Sequence, residues 1–231
     1  MTRESNSDNE PRNVAVQAVP ATATASAPSP SILITSYLLL DWLDIAIRHE
    51  HEAMLARKQD DGSRERQEAM IAVSASAHAV DGLARQLEHE LDEEEVERVA
   101  GLERKADGAR RAGHVNAVLM LAVPVSRDRW RQGLIRLIKT LRDPAVHPKA
   151  MAKPPVPHPD TAREANVSAE SALYSLEGAT RSVDLVCEIF ASVIGSTESA
   201  SKAVAGEIAP RVEQLLAERK RLLASPDDAP S

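Results

Sequence analysis

Apolar residues recur every three or four positions through most of this chain, and runs of Val, Ile, Thr and Tyr alternating between turn formers are missing. A period near 3.6 lets a helix bury one face, whereas a half-buried strand needs a period of two. The spacing therefore predicts an all-α protein. Composition points the same way. Hydrophobic residues make up 43% of the 231 positions but aromatics only 2%, so Ala, Leu, Val and Ile must fill the core. Alanine is the best helix former, and glycines are few. The length suits one domain with tails or one added element.

Residues 1–30 are rich in Ala, Pro, Ser and Thr without sustained periodicity, and read as a disordered tail. A helical bundle is expected over 31–195, a helical extension over 196–225 and a short tail over 226–231. The first helix should run from about Ile32 to Arg57 and turn Tyr37, Leu38, Trp42, Ile45 and Ile47 inward; the "QDDGS" that follows should stop it. A second helix, from about Glu65 to Leu91, carries Met70, Val73, Ala77, Val80, Leu83, Ala84 and Leu87 on one face. Small residues from Ala72 to Ala77 would let a neighbour come close. The acidic stretch 88–97 reads as a solvated helix end or the start of an exposed helix. A third helix is expected over about Ala109 to Val123. Next comes "SRDRWRQGLIRLIKTLR", with Trp130, Leu134, Leu137, Ile138 and Leu141 at i, i+4, i+7, i+8 and i+11, an amphipathic stripe. A stiff loop with five prolines between 148 and 159 follows. Another helix should start at Asn166 or Ser168 and run to about Ile194. The last should span about Ser199 to Ala224, kinked or divided at Pro210. Five long helices with short connections describe an antiparallel bundle with a terminal addition.

The most apolar stretch, 32–47, contains Asp41 and Asp44. A membrane span needs roughly 20 largely uncharged residues, so this segment reads as a core helix. With no cleavable leader evident, a cytoplasmic location is expected. Cys187 is the one cysteine, so no intramolecular disulfide can form; a buried helix position is expected for it. No Cys/His spacing suggests zinc, and no cofactor is implied.

The segment "LRDPAVHP", residues 141–148, ends the amphipathic stripe. Residues five apart on a continuous α-helix are about 140° out of phase, which would separate Arg142 from His147. Pro144 and Pro148 change this, because each disfavours helical geometry at the residue before it. The helix should end near Arg142, Asp143 can cap a single new turn, and the turn can bring guanidinium and imidazole to one side. Such a pair suits RNA cleavage. Histidine moves a proton to or from ribose oxygens, and arginine grips the phosphate through two parallel hydrogen bonds.

Arg142-Asp143-Pro-Ala-Val-His147 resembles the R-[N/D/H]-x-x-x-H motif of HEPN domains. The wider stretch, from about 32 to 195, looks like a group of bacterial helical proteins with a similar "LRDxAVH" followed by "PPVPHP". The resemblance implies a helical bundle forming a homodimer with two facing motifs, and metal-independent ribonuclease activity in toxin–antitoxin or defence systems. It implies phosphate binding by Arg142 and acid/base work by His147, with Asp143 where active members most often carry asparagine. RNA and an antitoxin or regulatory protein are the expected partners.

The net charge of −7 disfavours broad nucleic-acid binding, yet residues 101–150 hold eleven Lys/Arg against four Asp/Glu. Arg131 and Lys139 in that block are candidate substrate contacts. Asp81, on the second helix, is a candidate to orient Arg142 or His147. The competing reading is a non-catalytic helical bundle acting as an interaction or regulatory protein. There Asp143 is only a cap, Arg142 pairs with Glu177 or Asp184, and His147 is a half-buried structural histidine.

Overall fold

A computed structural model describes residues 30–103, 110–123, 129–142 and 173–224, with side chains from residue 38 onward except that of residue 103. The two expected tails, Asp143, His147 and the proline-rich loop lie outside the described residues. Those described form helices throughout, and the all-α expectation holds among them.

α1 (Pro30–Lys58) and α2 (Gly62–His89) form a long hairpin, the most extensive helix pairing among the described residues. Asp60 makes the sharp turn between them at φ 61°, a left-handed position more often given to glycine. Asp61 then caps α2, its carboxylate accepting the Arg64 N–H at 3.0 Å. The small residues of α2 do allow close approach: Ala72, Ala75, Ser76 and Ala79 are buried. A Cβ on Gly82 would lie 3.0 Å from that of Leu39.

α1 faces the core differently from expectation. Leu39, Leu43, Ala46, Ile47, Ala53 and Ala56 are buried, whereas Leu38 is 52% exposed and Trp42 and Ile45 only half-buried. The stretch is apolar nearly all round, so its neighbours rather than its pattern choose the buried face.

The acidic run opens α3 (Glu93–Glu103). Asp92 and Glu95 cap it reciprocally: the Asp92 carboxylate accepts the Glu95 N–H at 2.8 Å, and Glu95 accepts the Asp92 N–H at 3.1 Å. α4 (Arg110–Ala122) packs on α2 and α3. α5 (Arg131–Ile135) continues without a break into a π-helical turn, Arg136–Arg142. The whole predicted stripe of Trp130, Leu134, Leu137, Ile138 and Leu141 is buried.

α6 runs Leu176–Ile194, and the expected helix start at Asn166 or Ser168 lies outside the described residues. Ser175 is its cap, accepting the Gly178 N–H at 3.4 Å. Glu65 of α2 accepts the Leu176 N–H at 3.0 Å. The capping oxygen from a distant helix fixes a start that local sequence does not reveal. α7 (Ser199–Leu223) carries Pro210 inside it without being divided. Its Val204, Ile208, Val212 and Leu215 join the same core as the other helices, and it packs on α1 and α6. Among the described residues, no helix is long and apolar enough to cross a membrane.

Candidate functional site

Arg142 is the last residue of the π-helical turn and is half-buried. A π turn is wider than an α turn and occurs often at functional sites. Here it is pinned at its end. The Tyr174 hydroxyl donates to the Leu141 carbonyl at 2.8 Å, in a buried position. That bond satisfies a helix-terminal acceptor and holds the backbone immediately before Arg142.

The π turn packs on α2, where His78 and Asp81 stand three residues apart on one face. The His78 ring lies against Trp42, centroids 4.9 Å apart and planes tilted by 31°. Burial pushes the imidazole below its usual range, and the positive charge of Arg142 pushes the same way against the opposing charge of Asp81. His78 is therefore biased toward the neutral imidazole, first by burial and then by the Arg142 guanidinium. Sequence reasoning singled out Asp81 in "HAVDGL" but passed over His78. The i, i+3 spacing of a titratable pair was the available signal.

Asp81 itself is largely committed. Its carboxylate binds the Arg111 Nε, and its second oxygen lies 3.4 Å from Arg85. It thus ties α2 to α4 while contributing charge near His78 and Arg142. The two acids considered as partners for Arg142 hold other arginines. Glu177 binds Arg57 at 2.6 Å, and Asp184 binds Arg219 at 2.7 Å.

Both of these belong to partly buried ion networks that the sequence did not disclose. Arg57 sits between Glu65 and Glu177, with 2.6 Å separations from each. Its hydrogen bonds hold the Glu177 carboxyl down to about 2, against partial burial. Arg219 grips Glu50, which is 0% exposed, through two 2.7 Å hydrogen bonds and reaches Asp184 as well. Cys187 lies beside this network. It is buried as expected, and burial pushes its thiol up to about 11, so it is no nucleophile at neutral pH.

Arg131 is half-buried and Lys139 exposed, both on the α5–π segment. Neither has a carboxylate partner among the described residues. Also among the described residues, no three His, Cys, Asp or Glu side chains gather as a metal site requires. Comparisons with protein-family models, curated proteins and solved structures find no match to this chain.

Proposed function

We propose that this chain is a HEPN-like, metal-independent endoribonuclease, cytoplasmic and homodimeric, acting within a toxin–antitoxin or defence system. The observation that supports it most is the setting of Arg142. A guanidinium at the end of a π turn, with its preceding carbonyl tied down by Tyr174, is held in advance where a phosphate could be gripped. Preorganised charge of this kind lowers a barrier without reorganisation during the reaction.

In this reading His147, five residues on, takes the ribose 2′-OH proton as general base. The 2′ oxygen attacks the adjacent phosphorus, and the bond to the 5′ oxygen breaks. A proton returned to that oxygen leaves a 5′-hydroxyl and a 2′,3′-cyclic phosphate. Arg142 stabilises the extra negative charge on the phosphoryl oxygens. Asp143 is assigned, from the sequence alone, the cap of a turn bringing the pair together, and Asp81 acts at a distance through its charge. The test is incubation of single-stranded RNA with the full chain in EDTA. Cleavage leaving 2′,3′-cyclic phosphate ends is expected; intact RNA at high protein concentration would overturn the reading.

The second reading, a non-catalytic interaction or regulatory protein, is favoured by the commitment of Asp81 to Arg111 and Arg85. Recovery of one stoichiometric protein partner, together with absence of cleavage, would support it.

A further inference from the structure

Between α5 with its π turn and α6 lies a groove of about 310 Å³. Gly133 forms part of its wall, where a Cβ would come within 2.9 Å of the Leu185 side chain. Glycine here lets α6 approach α5 closely. Two arginines line the groove, Arg136 from the π turn and Arg181 from α6, and both are exposed. Two acids line it as well, Asp184 and Glu188.

The acids and the arginines are not partners of one another. Asp184 accepts from Arg219 at 2.7 Å. Glu188 accepts from Arg129 at 2.7 Å and from the Trp130 indole at 3.0 Å. Glu188 is thus matched by a cation from outside the lining, whereas Asp184 shares Arg219 with the buried Glu50. Arg136 and Arg181 have no ion-pair or hydrogen-bond partner among the described residues. The groove therefore presents two guanidiniums without bonded partners among the described residues, beside an Asp184 that shares its cation, over Leu137 and Leu185. Arg136 opens the π turn that Arg142 closes.

We propose that this groove is a phosphate-binding subsite for the backbone of single-stranded RNA, with Arg136 and Arg181 as the residues that hold it. The assignment rests on the ribonuclease reading and adds to it a place where the substrate strand is held away from the cleaved bond. Guanidiniums suit the task because each can bond a phosphate oxygen pair in a fixed fork.

The experiment is fluorescence anisotropy of a labelled oligouridylate in EDTA, on ice, across a salt series, with the full chain. Arg136→Gln/Arg181→Gln is compared with Arg98→Gln/Arg221→Gln, which removes two exposed arginines from α3 and α7. Removal of two charge-assisted hydrogen-bonding groups predicts roughly tenfold or weaker binding for the groove variant. Its salt dependence should fall by about 1.4 in slope, about 0.7 for each single-strand phosphate no longer neutralised. The control should stay within about twofold, since remote surface charges are screened. Equal weakening in both variants, or wild-type affinity in the groove variant, overturns the subsite while leaving the ribonuclease reading intact. Failure of the wild-type chain to bind RNA overturns both.

Discussion

Two sets of cations in this molecule contrast. Those that join α1, α2, α6 and α7 are matched: Arg57 to Glu65 and Glu177, Arg219 to Glu50 and Asp184. Arg131, Arg136 and Lys139 of the α5–π segment and Arg181 of the facing turn of α6 have no carboxylate partner among the described residues. Burying a charge is costly unless a partner and further hydrogen bonds compensate it. Matched arginines can therefore be buried and hold helices together. Unmatched ones must stay near solvent, where they are available to an anion. The contrast separates a scaffold from a surface poised for a ligand.

The largest effect should come from breaking a matched pair. Arg219→Ala leaves the Glu50 carboxylate buried and uncompensated, and about 3–5 kcal/mol should be lost in chemical denaturation. A loss below about 1 kcal/mol would show that the network is not structural.

Next is the bond that joins the two regions. Tyr174→Phe strands the Leu141 carbonyl in a buried place, so about 1–3 kcal/mol should be lost. RNA cleavage should fall as well, because the turn before Arg142 is released. Unchanged cleavage would separate the tyrosine from the site.

Glu177→Gln should cost less, since that carboxylate is 40% exposed. Its dependence on pH is more diagnostic than its size. The folded-state pKa, about 2, lies below the ordinary 4.5. The stabilisation is therefore complete above pH 4.5 and is lost as pH falls through about 2. Urea midpoints of the parent and Glu177→Gln should converge over that interval. A constant gap would contradict the pairing with Arg57.

The smallest effects belong to the unmatched group. Arg131→Gln and Lys139→Gln should each change stability by no more than about 0.5 kcal/mol. A larger loss would mean that these cations also hold the fold.

What could be read from sequence follows the same division between local and distant causes. The stripe from Trp130 to Leu141 was legible because one polar face opposes one apolar face. The facing of α1 was not, because "ILITSYLLLDWLDIAI" offers apolar residues in every direction. The start of α6 depends on Glu65, 111 residues away in sequence, and the Arg219–Glu50 pair spans 169. No local pattern records such pairings. The expected helix end near Arg142, read from Pro144, falls where the described residues stop, and nothing in "RLIKTLR" announces a π turn. Of the candidate site, Arg142 and Asp81 both act on the charge of His78, in opposite directions, and that histidine came to light only through packing.

The most direct measurement is RNA cleavage in EDTA by the parent chain, Arg142→Gln and His147→Ala, each with its thermal unfolding curve. The account predicts that both variants melt near the parent temperature and lose cleavage by orders of magnitude. Parent-level cleavage by either variant, or loss of cleavage only where the fold is lost, would contradict it.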